Sequence, residues 1–376
     1  MRRVLLALLC AAELLLFTGQ AGLRRNYREV EQLLVVQTMG LDAAPGGVTL
    51  TLAAMGDAEH GVTRLRAEGV SVSAAMERIR GYSYEEELFC PHIGRLLLGE
   101  KAAEQGLEST LAYICRSPEL RLDLPLFVVR GSTAESAVME VGGDMGICDV
   151  MRTVEQEARR RGGASLTSAA AVLRDMARCG SALICALDLG QASESGEDGG
   201  SDGLSAAPLG YAIVREGRLC RYLTREQGIA VGFLKNEVQP ASVQLRDRHG
   251  NAAVLELVGG GSRIRPRWEN GTLRGLAVSC EARARILERG GRGALRGAED
   301  LDELTAQLES TLSAYVRDTL QASRELKADF LGLGVLAERA DPAAFRALGR
   351  DFVELLPELE LEITVSARLA EPSDMK

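Results

Sequence analysis

The side chains that most often do chemistry in proteins are few and scattered in this sequence. Its three histidines, His60, His92 and His249, are far apart, and neither an H-E-x-x-H nor a C-x-x-C pattern occurs. Such material is too sparse for a histidine-rich metal site or a serine–histidine–aspartate triad. We therefore expect turn or packing roles for these histidines, and we predict no catalytic residue, no metal site and no cofactor.

The eight cysteines do not form a recognisable framework either. All but Cys10 follow Ala21, and an odd count with irregular spacing is not typical of a disulfide-stapled domain. Most lie within apolar stretches, where a free cysteine packs as a small hydrophobic residue. We expect that structural role, with one incidental disulfide as the alternative. The cysteines are Cys10, Cys90, Cys115, Cys148, Cys179, Cys185, Cys220 and Cys280.

Three local patterns could suggest ligands, and each has an ordinary structural interpretation. The glycines at 259–261 lack the lysine and the strand–loop–helix setting of a phosphate loop, so a β-turn or bulge is favoured. The three glutamates at 85–87 are typical of a solvated face. Arg263, Arg265 and Arg267 alternate with apolar residues, so this face either meets anionic headgroups or is the solvent side of a sheet.

Composition excludes several classes of protein. The chain has 376 residues and a net charge of −9, and only 4% of its residues are aromatic. An acidic chain with few stacking platforms is a poor nucleic-acid binder, so we predict no nucleic-acid partner. The hydrophobic share of 46% is too high for a disordered protein, and the length suits two or three domains.

The N-terminus has the three-part pattern of an export signal. Arg2 and Arg3 precede an apolar run at 4–17, which Glu13 interrupts, and small and polar residues follow. The run is short for a membrane-spanning helix, which needs about 20 apolar residues. We therefore predict that residues 1–21 are a signal peptide or N-terminal hydrophobic segment of an exported protein.

The residues at the end of this segment could be processed in two ways, by signal cleavage or by lipidation. The residues at 19–21 fit a small-x-small site, which makes Ala21 the candidate for signal cleavage. The residues at 17–19 resemble the start of a bacterial lipobox, but Gln20 stands where the lipid-carrying cysteine is required. No lipidation site is therefore predicted, and the tether is expected to be either partner subunits or an uncleaved N-terminal segment.

The clearest internal boundary is a run rich in serine, glycine and acidic residues at 191–207. That composition cannot bury itself, so we interpret it as a flexible linker or long surface loop. It divides the chain into an N-terminal region at 22–190, with two subdomains that meet near residue 140, and a C-terminal domain at 208–372.

Hydrophobic periodicity predicts mixed strands and helices, and their irregular order favours an α+β fold. In the first half the pattern predicts strands at 33–41, 48–54, 93–98, 126–129 and 182–187, and helices at 71–80, 101–105, 107–114, 148–161 and 167–178. In the second half it predicts strands at 263–268, 276–286 and 359–369 and a long helix at 300–327.

The turn after the arginine strand can be predicted from parity. A two-residue Asn270-Gly271 loop would place arginine-bearing positions opposite apolar ones, and a slip of one residue exchanges the faces of a strand. We therefore predict a three-residue loop at 269–271 with Gly271 in a left-handed conformation. That register sets Pro266 opposite Arg274 and Ile264 opposite Leu276.

Several short motifs, taken together and in order, resemble one known family. The resemblance begins at Gly19 and Arg28-Glu29, and its most specific parts are near the C-terminus. The remaining matches are Met39-Gly40-Leu41-Asp42, Leu96-Leu97-Leu98-Gly99-Glu100, Gly106-Leu107-Glu108, Arg116-Ser117-Pro118-Glu119-Leu120-Arg121, Val128-Val129-Arg130-Gly131, Gly210-Tyr211-Ala212-Ile213-Val214, Gly232-Phe233-Leu234-Lys235, Arg263-Ile264-Arg265-Pro266 with Asn270-Gly271, and Lys327-Ala328-Asp329-Phe330-Leu331-Gly332-Leu333-Gly334. The chain resembles the Ger(x)C family, the C-subunit of spore nutrient-germinant receptors.

The resemblance implies a fold and a role. The expected fold is three small α+β domains, each a mostly antiparallel or mixed sheet flanked by helices. The expected protein is a non-enzymatic, membrane-associated subunit at the outer face of the inner spore membrane, beside two integral-membrane subunits during nutrient-triggered germination. Where the family has Cys-Trp-Asp, this chain has Gln20-Ala21-Gly22, so the family's lipid anchor does not carry over.

A second hypothesis belongs to a different class. The chain could be an exported small-molecule binding protein or a hydrolase of the cell envelope. That function needs a deep apolar pocket with convergent polar groups or titratable groups of shifted pKa. A partner-binding subunit needs instead an exposed apolar patch or a face of polar contacts.

Overall fold

The computed structural model describes Glu13 and residues 33–55, 61–82, 87–143, 146–191, 204–246, 250–289 and 298–370. Within these ranges the strands form two sheets, a first sheet of ten strands and a second sheet of four. Helices flank both sheets. The predicted α+β class is confirmed, and the division into three domains stays a prediction.

The strands are β1 Leu33–Ala44, β2 Gly47–Met55, β3 Val62–Gly69, β4 Glu87–Phe89, β5 Arg95–Gly99, β6 Pro125–Val129, β7 Thr167–Ser168, β8 Ser181–Gln191, β9 Leu204–Arg215, β10 Arg218–Tyr222, β11 Ala241–Arg246, β12 Ala252–Glu269, β13 Thr272–Arg289 and β14 Glu360–Ala370. The helices are α1 Val72–Tyr82, α2 Glu100–Gln105, α3 Glu108–Arg116, α4 Ala134–Glu140, α5 Gly146–Arg161, α6 Ala169–Cys179, α7 Arg225–Leu234, α8 Ala298–Leu326, α9 Leu333–Ala340, α10 Pro342–Ala347 and α11 Phe352–Leu355.

The first sheet is mixed, with parallel strands at its centre and antiparallel strands at its edges. Its order is β10-β9-β8-β6-β5-β1-β2-β3, with β4 beside β1 and β7 beside β6. The pairs β1–β5, β5–β6 and β6–β8 are parallel. Central parallel strands are covered on both faces and therefore need continuous apolar runs. The runs at 96–98 and 126–129 are buried as that rule requires.

The predicted first-half elements correspond to observed ones with small shifts at their ends. The hairpin of β1 and β2 turns at Pro45 and Gly46. Helix α1 begins at Val72, one residue after the predicted start, and Ser71 caps it: its Oγ accepts the N–H of Ala74 at 3.2 Å. Strand β3 and helix α4, by contrast, were not predicted from the sequence. The edge strand β3 carries charges at 64, 66 and 68, and α4 is only two turns long, so neither has a clear apolar period.

The serine- and glycine-rich segment connects two neighbouring strands of the first sheet. Strand β8 ends at Gln191, β9 begins at Leu204, and these two residues pair in an antiparallel register. Residues 192–203 lie outside the described part of the chain. Between the described sheets, the chain passes from β10 through α7 to β11.

The second sheet has the order β11-β12-β13-β14, with only its last pair parallel. Its turn is not the predicted three-residue loop. Glu269 pairs with Thr272, so the loop has two residues, Asn270 (φ 49°) and Gly271 (φ 75°). Two positive φ angles match the twist of a two-residue hairpin turn. The left-handed conformation predicted for Gly271 is confirmed.

A bulge next to the turn explains why the predicted loop was wrong. Trp268 pairs with Leu273, but Arg267 pairs with Gly275, which leaves Arg274 as an extra residue. Beyond this bulge, the arginine-bearing odd positions of β12 lie opposite odd positions of β13, which is the arrangement that we had expected from a longer loop. Pro266 therefore lies opposite Leu276 instead of Arg274, and Ile264 opposite Val278 instead of Leu276.

Helix α8 covers the inner face of the second sheet. Its buried leucines and valine recur every four residues, which places them on one face of the helix. They are Leu304, Leu308, Leu312, Val316 and Leu320. One cluster of buried residues includes side chains from this helix, from both sheets and from α4 and α5, so the two sheets share a core.

Candidate functional site

The outer face of the second sheet carries the arginines that the sequence singled out. Arg267 lies near the hairpin turn, with its guanidinium 3.6 Å from Glu360 and 3.7 Å from Glu362. Its charge is therefore balanced by carboxylates of β14. Arg263 lies farther along the strand, where the surroundings are different.

Arg263 borders a groove of about 640 Å³ on this outer face. We call it the arginine groove, because Arg263, Arg283 and Arg368 all line it. The sequence predicted only the first of these three. The other lining residues are Asn236, Gly260, Gly261, Ser262, Ser279, Glu281, Ala282, Ser366 and Ala367.

Two of the three consecutive glycines in β12, Gly260 and Gly261, line the groove and add no side chain to it. A Cβ at Gly260, where φ is +152°, would lie 2.3 Å from the carbonyl oxygen of Glu281. A Cβ at Gly261 would lie 2.6 Å from Oδ1 of Asn236. The register shifts between Leu257 and Gly259, so a bulge lies at Val258, next to the glycines where a β-turn or bulge was predicted, and the glycines themselves pair regularly with β13.

Three arginines and one carboxylate determine the charge of the groove. Arg283 and Arg368 are directly opposite each other in the parallel pair β13–β14. Glu281 stands one row along the strand, between Gly261 and Ser366. Within the described ranges, Arg263, Arg283 and Arg368 have no ion-pair partner.

A second groove, of about 250 Å³, lies between α5 and the start of β9. Its walls are mostly apolar, with Val150, Val154 and Pro208 among them, and its charged residues are Glu157 and Arg225. Among its described lining residues there is no pair of facing carboxylates. This groove therefore lacks the two-carboxylate arrangement that a hydrolase of the glycosidase type needs.

The cysteines are all free in the part of the chain that the structure describes. Burial raises the pKa of the Cys185 thiol to about 12 and that of Cys280 to about 11. A nucleophilic cysteine needs the opposite shift, toward the thiolate. Burial is consistent with the expected packing role at Cys90, Cys148, Cys185 and Cys280, whereas Cys115 and Cys220 are exposed.

His92 packs against Phe89, with ring centroids 5.3 Å apart, as a packing histidine would. His60 and His249 lie outside the described residues, as do the glutamates at 85 and 86. Among the residues that are described, no three of the types His, Cys, Asp and Glu come together in a way that could hold a metal ion.

Several motif residues from the sequence have structural roles at helix ends. Asp42, at the end of the Met39-Gly40-Leu41-Asp42 motif, accepts the N–H groups of Ala134 and Glu135 at 2.8 and 2.7 Å. These are orphan donors of the first turn of α4, so the carboxylate stabilises the start of that helix. Burial raises the pKa of Asp42 above its usual value, and the two backbone hydrogen bonds oppose that shift.

Two other motifs meet at the neighbouring strand ends. Glu100, which begins α2, accepts the N–H of Gly131 at 2.7 Å. Arg130 lies over the ring of Tyr222 at 5.3 Å from its centroid. The motifs therefore connect the ends of the central strands β5 and β6 with the end of β10.

The C-terminal motif Lys327–Gly334 is built around a buried carboxylate. Asp329 accepts the N–H of Leu333 at 2.6 Å and that of Gly334 at 2.8 Å, at the start of α9. Burial raises the pKa of Asp329 to about 7, although hydrogen bonds from backbone N–H groups oppose the shift. This residue is a helix cap, and the sequence pattern alone did not indicate that role.

One polar contact joins the N-terminal region to the C-terminal one: Lys235 of the Gly232–Lys235 motif lies 3.4 Å from Asp175 of α6. A second contact lies within the C-terminal region and joins the first sheet to α8. In it, Arg215 of β9 donates to the carbonyl oxygen of Leu326, at the end of α8, at 2.6 Å. This contact lies just before the Asp329 helix cap in the chain.

Gln20 and Ala21, on which the lipidation and cleavage predictions depend, lie outside the described residues. Over the described ranges, no helix combines the length and the apolar character that crossing a membrane requires.

Two family models match successive parts of the chain. The model described as "Spore germination protein N-terminal domain" matches residues 26–183, and "Spore germination B3/ GerAC like, C-terminal" matches residues 209–372. The interval between them contains the serine- and glycine-rich segment. No curated protein matches the chain in sequence.

A solved structure, "Crystal Structure of the GerBC protein", has a similar fold. The TM-score is 0.54 at 16% sequence identity, over 88% of this chain and 96% of that one. At that identity the similarity shows only that the folds are alike, and the assignment to a family rests on the two family models. This chain belongs to the Ger(x)C family of spore germination proteins.

Proposed function

We propose that this protein is the non-enzymatic C-subunit of a spore nutrient-germinant receptor. It acts at the outer face of the inner spore membrane, beside two integral-membrane subunits, and its contacts with them help to trigger germination. The observation that carries this proposal is the match of both family models, which together span most of the chain in the family's order.

The arrangement of the motif residues supports a role through contact. The two buried carboxylates of the motifs, Asp42 and Asp329, are engaged by backbone N–H groups and do not face the arginine groove. Each of the two grooves has a single carboxylate among its described lining residues, so neither has a carboxylate pair. The surface instead offers charged sheet faces and strand edges, which suit binding to other subunits.

Association with the membrane is part of the proposal, and it does not require a lipid. The apolar run at 4–17 supports either an uncleaved N-terminal segment or retention by partner subunits, since Gln20 replaces the lipid-carrying cysteine. Labelling with radioactive palmitate tests this directly. We expect no incorporation into the protein, and incorporation would refute the proposed tether.

Fractionation of spores tests the receptor role. The full chain should sediment with inner-membrane fragments from spores that contain the two integral-membrane subunits. If those subunits provide the tether, their deletion should release the chain, whereas an uncleaved segment would keep it bound. A chain found only in the soluble fraction of complete spores would contradict the proposal.

A germination assay distinguishes a receptor subunit from an envelope enzyme. Spores without this chain should lose the response to at least one nutrient mixture and regain it on complementation with the intact chain. An unchanged response to every nutrient that the spores use would overturn the proposed function.

A further inference from the structure

We propose that the arginine groove is a binding site for a phosphate group. The proposal rests on the charge, the shape and the hydrogen bonding of the outer face of the second sheet. It does not rest on the receptor role, and it can be tested separately.

Two other arginines of the same sheet face have carboxylate partners, which the arginines of the groove lack among the described residues. Arg285 contacts Glu256 in an ion pair, and Arg267 lies within 4 Å of three carboxylates. Arg283 and Arg368, in contrast, are directly opposite each other, and like charges in that position destabilise a sheet. An anion bound between them would relieve this repulsion.

Several polar groups that line the groove already have hydrogen-bond partners within the protein. The three serine hydroxyls donate to backbone carbonyl oxygens: Ser262 to Leu234, Ser279 to Arg263 and Ser366 to Cys280. The oxygen of the Asn236 amide already accepts the N–H of Ser262 at 2.7 Å. The side-chain donors that remain for a ligand are therefore the guanidinium groups and the amide nitrogen of Asn236.

The Arg283 guanidinium is placed directly over the glycine floor. A Cβ at Gly259 would lie 2.8 Å from its Nη2, so a larger residue there would displace the arginine. The absence of a side chain at Gly259 thus leaves Arg283 in the position where it lines the groove. The rigid fork of arginine donors fits phosphate oxygens in a bidentate manner.

The net charge of the groove selects the class of anion. Arg263, Arg283 and Arg368 supply three positive charges and Glu281 one negative charge. Glu281 is one row, or about 6.6 Å, from the row of Arg283 and Arg368. An excess of two positive charges matches a phosphate dianion better than a single carboxylate. Glu281 repels the anion and should confine it to the end of the groove with two arginines.

Calorimetry on the full chain tests the site with inorganic phosphate, at constant ionic strength and with chloride as the reference anion. We expect saturable binding that Arg283→Ala or Arg368→Ala weakens about tenfold or more, the usual effect of losing a charged hydrogen-bond donor. Glu281→Gln should tighten binding, because it removes the repelling carboxylate.

Arg265→Ala is the matched control. Arg265 is on the same strand and the same outer face as Arg263 but outside the groove. The Arg265→Ala variant should bind phosphate with the same affinity as the unaltered chain. An equal loss in this variant would show diffuse attraction instead of a site and would overturn the proposal, as would the absence of any heat with phosphate. Circular dichroism confirms that each variant is folded.

A vesicle arm distinguishes the two sources of the phosphate group. Flotation compares vesicles of phosphatidylcholine with vesicles that also contain phosphatidylglycerol. A gain with phosphatidylglycerol that Arg368→Ala removes would support a lipid headgroup as the ligand. Phosphate binding without such a gain would support a soluble phosphate or phosphate ester. If the groove variants alter neither binding, the proposal fails, whatever the outcome of the germination assay.

Discussion

At the residue scale, Asp42 and Gly99 illustrate how two separate motifs depend on each other. A Cβ at position 99 would lie 1.9 Å from Oδ1 of Asp42, in the space that the helix-capping carboxylate occupies. The backbone of Gly99 has ordinary angles, with φ at −64°, so the requirement for glycine is one of space. The two motifs are far apart in the sequence, and their coupling is visible only in the fold.

Gly99→Ala should therefore destabilise the protein by about 2–4 kcal/mol, since Asp42 must move and leave two N–H groups of α4 without an acceptor. In an Asp42→Ala background the same change should cost at least about 1 kcal/mol less. Urea denaturation of the four proteins measures both values.

Gly190→Ala provides the control for this cycle. Its added Cβ would meet nothing nearer than 3.8 Å, so the free energy of unfolding should change by no more than about 0.5 kcal/mol. Strictly additive effects of the Asp42 and Gly99 changes would show that the contact does not couple them.

Asp329 predicts a dependence of stability on pH. Its pKa is about 7 in the folded protein and near 3.8 when exposed, so between these values the folded state holds a proton that the unfolded state has lost. Stability should therefore fall as pH rises from about 4 to 7, by up to about 1.4 kcal/mol per pH unit, and level off above 7.

Asp329→Asn isolates this effect, because every other titrating group is common to both proteins. Chemical denaturation between pH 4 and pH 8.5 should give a flatter stability curve for the variant, at any absolute stability. Parallel curves for the two proteins would mean that Asp329 is already ionised in the fold over this range.

At the element scale, the turn of the long hairpin combines two residues of positive φ with a bulge. A Cβ at Gly271 would meet no atom within 4 Å, so only the backbone conformation, with φ at +75°, resists substitution there. Gly271→Ala should lower the free energy of unfolding by about 1 kcal/mol.

Gly81→Ala is the matched control for the turn. It also meets no atom within 4 Å, but it lies inside helix α1 without a positive φ. Alanine there should be neutral or stabilise the protein by up to about 1 kcal/mol. Thermal denaturation of both variants gives the comparison, and an equal loss in both would contradict the conformational explanation.

Hydrophobic periodicity was sufficient to predict most of these helices and strands, but not the register in which the strands pair. The alternation at 276–286 and 359–369 predicted half-buried strands, and both are observed. The parity of the arginine strand was inferred correctly, but parity cannot distinguish a longer loop from a bulge at Arg274. Both add one residue, and the choice between them depends on how the strands twist.

The candidate site was accessible from the sequence only in part. Arg263 was recognised as part of a charged face, but Arg283 and Arg368 were not connected with it. They become neighbours because β13 and β14 pair although they are distant in the sequence. No local pattern predicts such a parallel pairing, because the long helix α8 and three short helices lie between the strands.

At the scale of the whole molecule, the segment that divides the two family models does not divide the first sheet. Strands β8 and β9, on either side of it, are hydrogen-bonded from Ser181–Arg215 to Gln191–Leu204. The contact between Lys235 and Asp175 adds to this junction. The predicted boundary at 191–207 therefore divides the sequence, whereas the first sheet includes strands from both sides of it.

A protease site inserted between residues 196 and 197 should be cut without separating the two fragments. The antiparallel pairing and the shared core should hold them together, so they should elute as one species of unchanged size from a gel-filtration column. The fragment that ends at residue 196, expressed alone, should aggregate because the edge of β8 is open. Separate elution of soluble fragments would show that the halves fold independently.

The parallel pairing of β14 with β13 also determines when the second sheet can be completed during synthesis on the ribosome. The hairpin of β12 and β13 can form from contiguous residues and ends at Arg289, but its open edge must wait for a strand that begins only at Glu360. At a synthesis rate of roughly 5–20 residues per second, the segment between them takes about 4–14 s to appear. An 18-residue strand with an apolar face is then available to any neighbouring strand for seconds, far longer than a hairpin needs to form. The speed of translation, more than the speed of folding, therefore governs how long this protein is exposed to mispairing.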